Sequence, residues 1–110
     1  MSDIVIASDY ISGGYEALSV DAAIGFTTTE ILPTSGDFSG QPCQEVFCTL
    51  ETDQIRFTLD GTTPTSLIGH LLEVGQNLTL KNPSDIKNFR AIKVTAAASL
   101  KCTFKFAKRA

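Results

Sequence analysis

The sequence predicts an all-β protein, a single antiparallel β-sandwich or jelly-roll-like domain of seven or eight short strands. Three observations lead there. Apolar and polar residues alternate with period two along most of the chain, and no i, i+3, i+4, i+7 pattern is sustained for the length of a helix. Gly, Pro, Asn, Asp and Ser punctuate that alternation at short intervals, which suits a sandwich better than a closed barrel around a ligand. At 110 residues, 43% hydrophobic and 19% charged, the chain can bury one core but is too short for a cleft between two domains and too apolar for a disordered one.

The elements follow in order. Residues 1–14 read as an N-terminal arm, in which Ser12-Gly13-Gly14 would let the apolar run Ile4-Val5-Ile6-Ala7 leave the domain. The sandwich then occupies residues 15–106, beginning with strand candidates at Tyr15 to Val20 and Ile24 to Leu32, both rich in β-branched or apolar residues. Pro33 to Pro42 collects Pro, Ser, Gly and Asp into the longest loop. Glu45 to Leu50 and Gln54 to Leu59 read as adjacent strands joined by a hairpin at Glu51-Thr52-Asp53. Asp60-Gly61 is a turn signal, and Gly69 and Gly75 bracket the next strand. Asn77 to Leu80, Phe89 to Val94 and Leu100 to Phe106 repeat the alternation, with one helical turn at Asp85 to Asn88 after Pro83-Ser84. In the last strand Leu100, Cys102, Phe104 and Phe106 should face the core, and Lys101, Thr103 and Lys105 water. The remaining expected core residues are Phe47, Ile55, Phe57, Leu59, Leu78, Leu80, Phe89, Ile92 and Val94, and residues 107–110 form a basic tail.

Charge is segregated along the chain. Residues 1–60 hold ten acids against the single base Arg56, a net of −9, and residues 61–110 hold eight bases against Glu73 and Asp85, a net of +6. Two arrangements fit: acidic and basic strands that neutralise each other inside one sheet, or a bipolar surface suited to head-to-tail contacts between copies. Nucleic acid fits poorly, because the bases are spread along strands without aromatic stacking platforms.

Motifs for chemistry are not found in the sequence, and an enzyme is not expected. The sole histidine, His70, has neither a second His nor a Cys at ligand spacing, and reads as a strand or loop residue. No Gly-x-Ser-x-Gly, phosphate loop or CxxC is present, so no catalytic, metal or cofactor residues are assigned. Cys48 and Cys102 read as small buried hydrophobes and Cys43, beside Pro42, as the exposed thiol, while a Cys43–Cys48 bridge stays open. Glu51, Asp53 and Asp60 read as turn residues rather than an acid–base pair. The absence of Trp leaves few stacking residues for a sugar. The longest apolar stretch, Ile4 to Ala7, cannot span a bilayer, and Met1-Ser2-Asp3 does not resemble a secretory signal, so a reducing cytoplasm is expected.

About half of the chain carries a resemblance. Ile55-Arg56-Phe57-Thr58-Leu59-Asp60-Gly61-Thr62-Thr63-Pro64-Thr65, then Gly69 to Gly75, Leu78-Thr79-Leu80, and Ile86 to Ile92 resemble small all-β structural proteins of tailed-bacteriophage and prophage virions. The strand followed by Asp-Gly-Thr-x-Pro-Thr is also similar to small β-sandwich modules appended to carbohydrate-active enzymes. The first resemblance implies a non-enzymatic capsid decoration (cement) subunit or head–tail or tail accessory subunit, assembled in the bacterial cytoplasm and present in many copies. Its partners would be itself and the major capsid or neck and tail proteins. The second implies a ligand- or glycan-binding module. On the first reading, Ile4, Val5 and Ile6 would pair with a neighbour's sheet edge, or else complete their own sheet. Lys105, Lys108 and Arg109 would meet acids such as Asp3, Asp9 or Glu16 on a neighbour.

Overall fold

A computed structural model describes residues 10–107. Among these residues, seven strands and two short helices run in the order β1 (Ile11–Val20), α1 (Thr28–Ile31), β2 (Glu45–Glu51), β3 (Ile55–Thr58), β4 (His70–Leu72), β5 (Asn77–Leu80), α2 (Pro83–Asn88), β6 (Arg90–Lys93) and β7 (Ala98–Phe106). They form two antiparallel sheets, β1-β7-β2-β5 and β4-β3-β6, the all-β sandwich that the alternation predicts.

The larger sheet is organised around β7. Its inward residues Ala98, Leu100, Cys102, Phe104 and Phe106 are all buried, and it pairs with β1 on one side and β2 on the other. Phe26 joins them, stacked on Phe89 at 4.3 Å and edge-on to Phe104 at 5.5 Å. Such offset and edge contacts add to simple area burial.

Several expectations shift. The hairpin at Glu51-Thr52-Asp53 is not one, since β2 and β3 lie in different sheets. Thr52 adopts φ 82° and the Asp53 N–H donates to the Glu51 carbonyl at 3.0 Å, a tight corner that sends the chain across the sandwich. Strands β4 and β5, and β6 and β7, are likewise divided between the sheets. The strand expected over Ile24 to Leu32 reduces to one bridge, Ile24 to Ala91, followed by α1. The carboxylate of Glu16, on β1, accepts from the Thr27 N–H at 3.0 Å and the Thr27 hydroxyl at 2.6 Å, holding the start of that turn from a neighbouring strand. By contrast, α2 forms as expected: Pro83 occupies its first turn and the Asn82 side chain accepts from the Asp85 N–H at 2.8 Å.

The arm boundary also moves. Ile11 to Gly14 belong to β1 and pair with the end of β7, with a bulge between Ser12 and Gly14. Gly13 there answers to space rather than to flexibility, because a Cβ would stand 2.7 Å from the Phe38 ring and 2.8 Å from Phe106, which themselves stack at 4.8 Å. In the core, Phe47 points to the outer face of the larger sheet and is half-buried, while Val46, Cys48 and Leu50 take the inward positions. Ile92 and Val94 are also only half-buried, and Leu59 and Leu78 pack against the core from its margin.

Phe104→Ala should therefore cost about 3–5 kcal/mol in urea denaturation, and Phe47→Ala less than half as much. Equal losses would place Phe47 in the core after all.

Candidate interaction surfaces

The approach to β4 is built to hold apolar side chains in water. Asp60-Gly61 turns the chain after β3, with Gly61 at φ +87° and the Thr62 N–H donating to Asp60 Oδ1 at 3.0 Å. Hydrogen bonds from the Thr62 side chain and backbone hold the Asp60 carboxyl below its usual range. Pro64 is buried, and the Thr65 hydroxyl accepts from the N–H groups of Leu67 at 3.1 Å and Ile68 at 3.0 Å. Arg56 donates from Nε to the Ser66 carbonyl at 2.9 Å and from its terminal nitrogen to that of Gly69 at 3.0 Å. At the tip of this fixed turn Leu67 is 87% exposed, and Ile68, Leu71 and Val74 are exposed beside it. Leu71 stands opposite Arg56, which stands opposite Ile92, in one row across the outer face of the smaller sheet. Single exposed leucines are ordinary, but here four exposed apolar side chains fall within eight residues, in and on either side of the three-residue edge strand β4.

On the outer face of the larger sheet, exposed Tyr15 leads a row through Thr103, Phe47 and Thr79 across its four strands; Tyr10, just before β1, and Ile11, opposite the inward Phe106, are exposed as well.

Of the residues expected to make contacts, Glu16 and Lys105 are described, Asp3 and Asp9 lie outside the described residues, Glu16 is engaged by Thr27 of its own chain, and Lys105 differs from expectation. It does lie on the outward parity of β7, yet it is buried, with Nζ 3.6 Å from the carboxylate of Glu45 directly opposite on β2. Lys93 and Asp21 form a second, exposed ion pair at 2.5 Å. At these two points the acidic and basic halves neutralise each other within one chain. Ile4, Val5, Ile6, Lys108 and Arg109 lie outside the described residues.

Two concavities complete the surface. An apolar groove of about 520 Å³ runs between α1 and α2, walled by Ile31, Leu32, Pro42, Pro83 and Ile86 with Lys87 at its rim. Cys43 lines it too, but against expectation that thiol is buried. Its Sγ donates to the carbonyls of Glu45 at 3.2 Å and Lys105 at 3.4 Å, and burial pushes it up to about 11, so it is a poor nucleophile. A shallower hollow of about 310 Å³ brings His70 beside Thr58, Asp60 and Thr62. His70 opens β4, is exposed, and lies 5.5 Å from the Phe57 ring. Among the described residues, no three His, Cys, Asp or Glu side chains are placed to hold a metal, and no helix is long and apolar enough to cross a membrane. Comparisons with family models, with curated proteins and with solved structures find no match to the chain.

One titration can be followed at the foot of α1. Glu30 lies over Gly14, and burial followed by the nearby Glu16 raises its carboxyl above the ordinary range. The folded protein thus binds this proton more tightly than the unfolded chain, and its stability gains as pH falls through the folded value toward 4.5. Glu30→Gln should raise the melting temperature at pH 7, with the advantage over the parent protein fading below pH 4.5; a constant difference across that range would remove Glu30 as its source.

Proposed function

We propose that this protein is a structural subunit acting through contact area, assembling with copies of itself and with the capsid, neck or tail of a tailed-bacteriophage particle. The observation that carries the contact role is the ordered turn with exposed Leu67 at its tip, followed by exposed Ile68, Leu71 and Val74 in and on either side of β4. A turn stapled by Arg56 and Pro64 pre-organises an apolar anchor, which lowers the entropic cost of binding. The particle setting rests on the resemblance of the segments between Ile55 and Ile92 to virion structural proteins. In this reading the chain has no catalytic residues and requires no cofactor, nucleic acid or membrane. The apolar groove between α1 and α2 favours a second reading, a small ligand-binding module.

Light scattering across a concentration series, together with co-sedimentation with particles, tests the contact role. The parent protein should self-associate or bind particles saturably. Leu67→Glu with Leu71→Glu should weaken that association at least tenfold, about 1.4 kcal/mol, without lowering the melting temperature. A strictly monomeric protein that ignores particles yet binds small apolar ligands would favour the second reading.

A further inference from the structure

Cys48 and Cys102 bring two thiols together in the core. They stand directly opposite each other on the two central strands of the larger sheet, both facing inward, both free and both fully buried. Their sulfurs are 3.6 Å apart, with the Cys48 thiol donating toward that of Cys102 and the Cys102 thiol toward the Leu100 carbonyl at 3.4 Å. Directly opposed residues of antiparallel strands bring their Cβ atoms to about 4.5–5.5 Å, and a disulfide needs about 3.5–4.5 Å with sulfurs near 2.05 Å. Closing the bond therefore asks for a small approach of two side chains already in register.

We propose that Cys48 and Cys102 are an oxidation site, a dithiol that a small-molecule disulfide converts into a cross-strand disulfide locking β2 to β7. This inference is independent of the assembly reading. In the reaction one cysteine thiolate attacks the small disulfide, forming a mixed disulfide and releasing one small thiolate. The second cysteine, after losing its proton, attacks the protein sulfur of the mixed disulfide and releases the other small thiolate. The protein loses two thiol protons and two electrons, and the small disulfide is reduced to two thiols.

Accessibility sets the rate. With both sulfurs buried, the oxidant must reach them in an opened or unfolded chain. The hydrogen bond with Cys48, then burial, holds the Cys102 thiol well above the usual range, which favours the dithiol while the sheet stays closed. Cys43 is separate in geometry, since its thiol is directed to the carbonyls of Glu45 and Lys105.

The test is to unfold the full chain and refold it in a series of reduced and oxidised glutathione mixtures, trapping free thiols at each step. Intact mass should fall by about 2 Da, the two hydrogens removed, and non-reducing peptide mapping should join the segment holding Cys48 to the one holding Cys102. The cross-link closes a loop between residues 54 apart, so the oxidised form should melt higher by on the order of 10 °C, an increase reversed by reductant. Cys43→Ala should form the bond and Cys102→Ala should not. Mapping of the parent protein decides the question even if a variant fails to fold. Persistent free thiols at Cys48 and Cys102 in the most oxidising mixture, linkage through Cys43, or a Cys48–Cys102 bond that leaves melting unchanged or lower would each overturn the proposal.

Discussion

The register of β7 is the constraint on which the rest of the sandwich depends. It is bonded on both sides, and a slip of one residue against either neighbour would turn Ser99, Lys101, Thr103 and Lys105 into the core and expel Leu100, Cys102, Phe104 and Phe106. Apolar burial at about 25 cal/mol per Å² and the cost of an unpaired buried ammonium both oppose that slip. The same register sets Lys105 across from Glu45, Cys102 across from Cys48 and Thr103 between Tyr15 and Phe47. An ion pair, a thiol pair and a surface row are thus consequences of one strand's packing.

How much was legible in the sequence depends on whether the deciding partner was local. Strand β7 was legible because its alternation is unbroken and Leu100, Phe104 and Phe106 are large apolar residues on one parity. Strand β5 and helix α2 were legible because their signals, alternation and a Pro after a capping residue, lie within the elements themselves. In β2 the alternation permits either parity, and the expectation that both Phe47 and Cys48 are buried leaves the facing unsettled, since adjacent residues of a strand point to opposite faces. The structure buries Val46, Cys48 and Leu50, matched to Phe104, Cys102 and Leu100 on β7. Nothing within β2 reveals that match. Helix α1 was missed for a similar reason: Thr27 to Thr29 are β-branched, and the carboxylate that organises the turn comes from Glu16, eleven residues earlier. The candidate contact surface was less legible still. The sequence drew attention to Ile4, Val5, Ile6, Lys105, Lys108 and Arg109, whereas the exposed apolar groups at Leu67, Ile68 and Leu71 become a surface only once Arg56 and Thr65 fix their turn.

The opposed charges of the two halves have a partly internal explanation. Pairing β2, from the acidic half, with β7, from the basic half, places Glu45 against Lys105, where burial makes the partnership consequential: removing Glu45 would take the carboxylate away from a buried ammonium. The Lys93–Asp21 pair, exposed on both sides, adds little to stability. Segregation along the chain is therefore no direct measure of a bipolar surface, because a sheet of antiparallel strands brings distant halves into contact.

The apolar patch near β4 is harder to explain from the fold alone. A leucine left in water forgoes about 1.5–3 kcal/mol available from burial, and a loose polar turn would connect β3 to β4 as well. Instead the connection is ordered at several points: Pro64 is sunk into the core, Thr65 closes the turn, and both Arg56 donors engage its carbonyls. Ordering a turn has its own entropic cost, so fixing one whose tip is an 87% exposed leucine is unfavourable twice over for the isolated chain. Both costs are offset if the turn meets a partner, since the leucine is then buried and its conformation is already set. The three-residue β4 gives that partner little free backbone to pair with, so recognition there would depend chiefly on side chains and shape.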